Sequence, residues 1–133
     1  PVEEQGFLLF HTEQGDCFHC HGAPLFTDNQ FHNNGLDLDP QDPGLAAFTR
    51  GRLDRGKFIT PTLRNVEYTA PYMHDGRFQT LEEVIDHYDS GFHRTRLTDP
   101  VLLIRPNLGL SREEKRALIA FLKTLSDTRF MPH

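Results

Sequence analysis

Cys17-Phe18-His19-Cys20-His21 spells C-x-x-C-H, the attachment pattern of a c-type haem. Two thiols three residues apart can each add to one vinyl group of the porphyrin. The adjacent His21 is then held under the ring, where its imidazole can ligate the iron. A C-x-x-C pair alone would also suit a redox dithiol or half of a zinc site. A thioredoxin-type dithiol wants a βαβ context, and no such alternation is present. A structural zinc site needs four ligands, commonly with a second C-x-x-C or a spaced His pair, and Cys17 and Cys20 are the only cysteines. One covalent haem c is therefore expected.

The 133 residues suffice for one domain, 1–133, with a real core, and not comfortably for two. Hydrophobic residues make up 37%, which is low for such a core. A covalent porphyrin would supply the missing apolar body. The formal net charge of −5 argues against nucleic acid and anionic membrane surfaces as partners. No run approaches the roughly 18 apolar residues of a membrane span. Haem c is attached outside the bacterial cytoplasm, so a periplasmic or other extracytoplasmic location is expected. A secretory signal is expected upstream of Pro1, which no initiator Met precedes.

Outward from the motif, residues 2–13 read as a helix, with Glu3 and Glu4 in its first turn and Phe7, Leu8, Phe10 and His11 at near-helical spacing. Gly15 is expected to end it. Residues 22–57 are rich in Gly, Pro, Asn and Asp, with strong turn signals at Asn33-Asn34-Gly35 and Asp39 to Gly44. A loop that long is uncommon unless it wraps something; Phe26 and Phe31 could cover a porphyrin or simply anchor the loop. In Phe58 to Val66, Arg64 offers a planar fork suited to a haem propionate, with a surface ion pair as the alternative. Thr80-Leu81-Glu82-Glu83 is a capping box, and Leu81, Val84, Ile85 and Tyr88 share one face of the helix it starts. Asp89-Ser90-Gly91 should stop that helix. A second box, Ser111 to Glu114, opens the clearest helix, with Ala117, Leu118, Phe121, Leu122 and Leu125 as its apolar stripe. The fold expected is all-α, of the class I cytochrome c plan, with long wrapping loops and a C-terminal helix packed on the first.

Five stretches in register also resemble the bacterial di-haem cytochrome c peroxidase and MauG family. They are Phe31-His32-Asn33-Asn34-Gly35, Arg55-Gly56-Lys57-Phe58, Thr60-Pro61-Thr62-Leu63-Arg64-Asn65, Thr69-Ala70-Pro71-Tyr72-Met73-His74-Asp75-Gly76 and Thr80-Leu81-Glu82-Glu83. The resemblance covers nearly the whole chain and is to the C-terminal haem domain. That family carries two haem motifs, and only one is present here. The resemblance therefore implies the electron-transfer half, passing or storing oxidising equivalents for a peroxide-reacting haem in a second domain or chain, with a small redox protein as donor. The alternative is a stand-alone mono-haem electron carrier, or a haem subunit of a larger redox complex.

The sixth iron ligand separates these chemistries. Met73 is attractive from composition, because Met/His ligation raises the potential. The resemblance instead places the ligand eight residues beyond the cap threonine, at Tyr88: Met occupies that position in the peroxidases and Tyr in MauG-like members. His74, His87, His93 and an open position complete the alternatives. A phenolate is anionic and hard, and stabilises ferric iron relative to a thioether. The resemblance further implies a calcium ion held by the backbone carbonyls of Thr69 and Pro71, with an amide ligand from the other domain. The first expected outcome is covalent haem at Cys17 and Cys20: mass spectrometry of the denatured chain should show it heavier by one haem that acid–acetone does not extract, and extractable haem would overturn the motif reading.

Overall fold

A computed structural model describes residues 1–131. Five α-helices follow in chain order: α1 (Val2–Phe10), α2 (Ala46–Thr49), α3 (Leu81–Asp86), α4 (Pro100–Ile104) and α5 (Arg112–Lys123). The two strands β1 (Phe31–His32) and β2 (Phe58–Ile59) pair antiparallel, Phe31 opposite Ile59 and His32 opposite Phe58. The molecule is mostly helical with little strand. None of the helices is long and apolar enough to cross a membrane.

Helix α1 packs across α5, and the two form the centre of the core. The crossing is close because residue 6 is glycine: a Cβ there would run into the Ala117 carbonyl and lie 2.8 Å from Phe121 Cβ. Gly6, Leu9 and Phe10 are therefore the buried face of α1. Phe7 and Leu8, expected on the apolar face, are 48% and 61% exposed. The crossing point rotates the helix so that Phe7 keeps only an edge contact with Phe121, ring centroids 5.6 Å apart. Phe10 is 1% exposed; burying such a ring contributes about 1.5–3 kcal/mol.

The first helix is also shorter than expected. It stops at Phe10, and the chain curls so that the Gly15 N–H reaches the Leu9 carbonyl at 3.1 Å. That approach leaves no room for a Cβ at residue 15. Gly15 thus closes the helix end from five residues downstream and delivers Asp16, at φ 58°, into the cysteine motif.

Both capping boxes form. Glu83 N–H donates to Thr80 Oγ1 at 3.2 Å while Glu83 Oε2 accepts from the Thr80 N–H at 3.0 Å. Ser111 and Glu114 repeat the arrangement at 3.2 and 2.7 Å. Leu81 and Ile85 of α3 are buried as expected, as are Ala117, Leu118, Phe121 and Leu122 of α5, while Leu125 lies beyond the end of α5 and is partly buried against the core. The α3 rotation does not stop at Asp89. It continues as a wide π turn, His87–Gly91, a geometry that recurs at functional sites. Asp89 stabilises this turn from inside: its Oδ1 accepts from the Leu110 N–H at 3.1 Å and its Oδ2 pairs with Lys115 at 2.7 Å. The loop of residues 22–57, expected without regular structure, holds β1 and α2, and α4 lies between the two helices opened by the capping boxes. Asp99 caps α4 by accepting from the Val101 N–H at 3.0 Å, with Pro100 at its first position.

Gly6→Ala tests the crossing by its sign. At an exposed mid-helix position the substitution stabilises by about 1 kcal/mol; here overpacking should destabilise the haem-loaded protein by about 1–3 kcal/mol, measured by thermal unfolding.

Candidate haem site

The cysteine motif forms a single 3₁₀ turn, Cys17–His19, whose Cys17 carbonyl accepts from the Cys20 N–H and also, at 3.0 Å, from the His21 N–H. Both cysteines are free thiols. Burial, reinforced by the neighbouring Asp16 and Cys20 for Cys17 and by Asp28, Asp99 and Asp16 for Cys20, pushes each thiol up to about 12. A reactive redox dithiol needs the opposite shift, so the electrostatics speak against that alternative to haem attachment.

His21 is oriented as a proximal ligand must be. Its Nδ1 lies 2.9 Å from the Phe26 carbonyl. A carbonyl only accepts, so Nδ1 carries the proton and Nε2 presents its lone pair. Burial holds the imidazole below its ordinary pKa, partly offset by that hydrogen bond, so the ring stays neutral and able to ligate.

Phe26 reaches His21 from a left-handed backbone, φ 55°. Its ring packs on Phe10 at 5.9 Å and on Phe121 at 6.4 Å, and its carbonyl also accepts from the Leu63 N–H at 3.3 Å. The stretch Thr60 to Arg64 splints this loop throughout. Thr62 Oγ1 donates to the Leu25 carbonyl at 2.6 Å, and Thr60 accepts from Thr27 Oγ1 at 2.6 Å. Arg64 donates through Nε and Nη2 to the Pro24 carbonyl at 3.1 and 2.8 Å. Arg64 thus grips the haem loop itself and, among the described residues, makes no ion pair.

On the π turn, Tyr88 and Met73 meet at one side chain. Asn34 Nδ2 donates to Tyr88 Oη at 3.1 Å and to Met73 Sδ at 3.4 Å. Tyr88 is half-buried; its Oη accepts this bond, and no acceptor for its own O–H is found among the described residues. Burial raises the phenol above its ordinary pKa, opposed by the Asn34 bond and reinforced by the nearby sulfurs of Cys20 and Cys17. Met73 adopts φ 72°, rare for a side chain of its size. His87 is buried with Nε2 on the Asn34 carbonyl at 2.9 Å. His74 is exposed and stacked on Phe58, ring centroids 3.8 Å apart, and His93 is exposed. Among the described residues, neither the Thr69 nor the Pro71 carbonyl accepts a hydrogen bond.

Two thiols, a neutral imidazole with its Nε2 presented, and a phenol near both sulfurs with an unpartnered O–H form a donor set that fits a c-type haem. The chain is 35% identical to the cytochrome-c peroxidase IdrP2 of Denitromonas iodatirespirans, over 93% of its own length and 39% of the relative's. It is 37% identical to the methylamine utilization protein MauG of Methylorubrum extorquens, over 92% of its length and 34% of the relative's. This chain belongs to the bacterial di-haem cytochrome c peroxidase and MauG family. A solved MauG-like protein associated with microbial copper homeostasis shares its fold, with TM-score 0.86 and 36% identity over 98% of this chain and 50% of that one. No family model matches. The chain thus spans about two fifths or less of those two curated relatives, and membership in a di-haem family implies c-type haem and redox chemistry.

Sequence reading missed three parts of this site. Asn34 was legible only as part of a turn, a role that Asn33 fills by accepting from the Gly35 N–H at 2.9 Å. The Phe26 carbonyl carries no side-chain signal. The third is His32, held between Asp28 and Asp99 at 2.6 Å on each nitrogen and grouped with Cys20. Burial disfavours its charge, but the hydrogen bonds that the ring donates to both carboxylates outweigh that and raise its pKa above the ordinary value. The imidazolium ties the haem loop to the cap of α4. Its contribution is full below about pH 6.5 and is lost as pH rises through the raised folded value. His32→Gln should flatten this alkaline decline in stability, measured by denaturant unfolding between pH 6 and 9; an unchanged slope would show that the clamp carries no charge.

Proposed function

We propose that this chain is the C-terminal, electron-transfer haem domain of a di-haem cytochrome c peroxidase or MauG-like oxidoreductase of the bacterial periplasm. It passes or stores oxidising equivalents for a peroxide-reacting haem in a second domain or chain. The observation that carries this reading is the phenol of Tyr88, near both cysteine sulfurs, accepting a hydrogen bond and donating none among the described residues. Haem c bound here supplies one-electron chemistry between ferric and ferrous iron. Cys17 and Cys20 would anchor it, and His21 Nε2 and Tyr88 Oη would be the donors offered to its iron. A phenolate oxygen favours the ferric state and lowers the potential relative to a thioether, which suits a reservoir of oxidising equivalents.

The remaining donors have supporting roles. Two of the Arg64 donors hold the Pro24 carbonyl, and the rest of its fork is available to a propionate. The Thr69 and Pro71 carbonyls suit calcium, a hard cation that takes oxygen ligands, with the remaining ligands from the partner domain. Reduction comes from a small redox protein.

A second reading, a stand-alone electron carrier with Met/His ligation, draws support from Met73 Sδ on the same Asn34 amide. Substitution separates the two. Tyr88→Phe keeps the packing and removes only the oxygen, so it should convert low-spin ferric haem to high-spin, by visible and electron paramagnetic resonance spectra, while Met73→Leu leaves the spectrum unchanged. The reverse pattern would establish the carrier.

A further inference from the structure

We propose that Asn34 is the positioning residue that selects the sixth iron ligand: its side chain holds the Tyr88 oxygen and the Met73 sulfur while its backbone carbonyl holds the His87 imidazole. This deepens the reading above and rests on it for the haem and for Tyr88.

Three chemically different candidate ligands stand close together around this one residue, two held through its side-chain amide and one through its backbone carbonyl. Nδ2 has two hydrogens, one for Tyr88 Oη at 3.1 Å and one for Met73 Sδ at 3.4 Å. The carbonyl accepts from His87 Nε2 at 2.9 Å. The three bonds act differently on a metal bond. An oxygen that accepts a hydrogen bond still has lone-pair density for iron, and the donated hydrogen favours its anionic form. A thioether is a weak acceptor with little density to share, so the same donation reduces its availability. The His87 Nε2 is withheld, because the nitrogen on the carbonyl carries the proton and has no lone pair to give, and the lone pair of that ring sits on Nδ1 instead. Asn34 therefore promotes the phenol over the thioether and closes one of the two His87 nitrogens to iron.

The position of Asn34 is itself rigid. Asn33 on one side is buried, with Nδ2 on the Arg55 carbonyl at 3.0 Å. Gly35 on the other has φ 69°, and a Cβ there would lie 2.6 Å from the His93 carbonyl oxygen. The His93 N–H donates to the Gly35 carbonyl at 2.7 Å. The turn is thus tied to the segment just beyond Tyr88, and the amide and the phenol keep a fixed separation.

Asn34→Asp and Asn34→Leu test the selection on the haem-loaded protein, with covalent haem content and far-ultraviolet circular dichroism as fold controls. Both variants lose the two side-chain donations and keep the backbone bond to His87. Losing a hydrogen bond to a charged oxygen should lower the phenolate-ligated fraction about tenfold or more. The readouts are phenolate-enhanced resonance Raman bands, the ferric spin state and the midpoint potential, which should rise in Asn34→Leu as Met73 is released. Asn34→Ser, which keeps a single donor, should give an intermediate fraction and serves where the other two fail to load haem. Wild-type protein without phenolate bands would overturn the Tyr88 reading. Wild-type protein with those bands, and variants with the same bands and the same potential, would overturn the role of Asn34 alone.

Discussion

The close crossing of α1 and α5 at Gly6 is the constraint on which the haem site rests. With no Cβ at residue 6, the helices approach until Phe10 and Phe121 meet, ring centroids 5.1 Å apart. Phe26 closes that pair into a three-ring cluster. The same residue turns its carbonyl onto His21 Nδ1. A helix–helix distance in the core is thereby transmitted, through one aromatic anchor and one carbonyl, to the orientation of the His21 imidazole. Packing of this density does not deform gradually, so the imidazole direction is as well defined as the core itself.

The loop segments follow a different principle. They have few apolar contacts and little regular structure, and are held instead by side chains reaching across to backbone carbonyls. Thr27, Thr62 and Arg64 join residues 24–27 to residues 60–64. Asn33 and Arg55 tie the next turns together, with Arg55 Nη2 on the Pro40 carbonyl at 2.8 Å. Each such bond is worth about 1 kcal/mol net, and together they fix the course of these loops. A polar chain with 37% hydrophobic residues thus positions a cofactor with hydrogen bonds where a more apolar one would use packing.

What could be read in the sequence was what the chain decides locally. The haem motif occupies five consecutive residues, and each capping box closes between positions three apart. Tyr88 follows from counting along the helix that Thr80 starts. What could not be read depends on distant partners: Asn34 reaches a phenol 54 residues away, and Thr62 a carbonyl 37 residues away. The strands β1 and β2 are two residues each, too short for any alternation to show. The exposure of Phe7 and Leu8 required knowing where α5 crosses. The cap at Asp99 with Pro100 behind it was a readable local signal for α4.

Lys115 gives the π turn a mechanical meaning. From α5 its ammonium pairs with Asp86 at 2.8 Å and with Asp89 at 2.7 Å, the residues that flank His87 and Tyr88. One cation on the core helix staples both sides of the two-residue span that carries the phenol. Unwinding α5 releases both staples together, so the phenol cannot keep its place once the core has melted. With Tyr88 as the proposed iron ligand, the colour of a bound haem would become a gauge of α5: the loss of the oxygen ligand and the loss of the fold would be one event seen at two wavelengths.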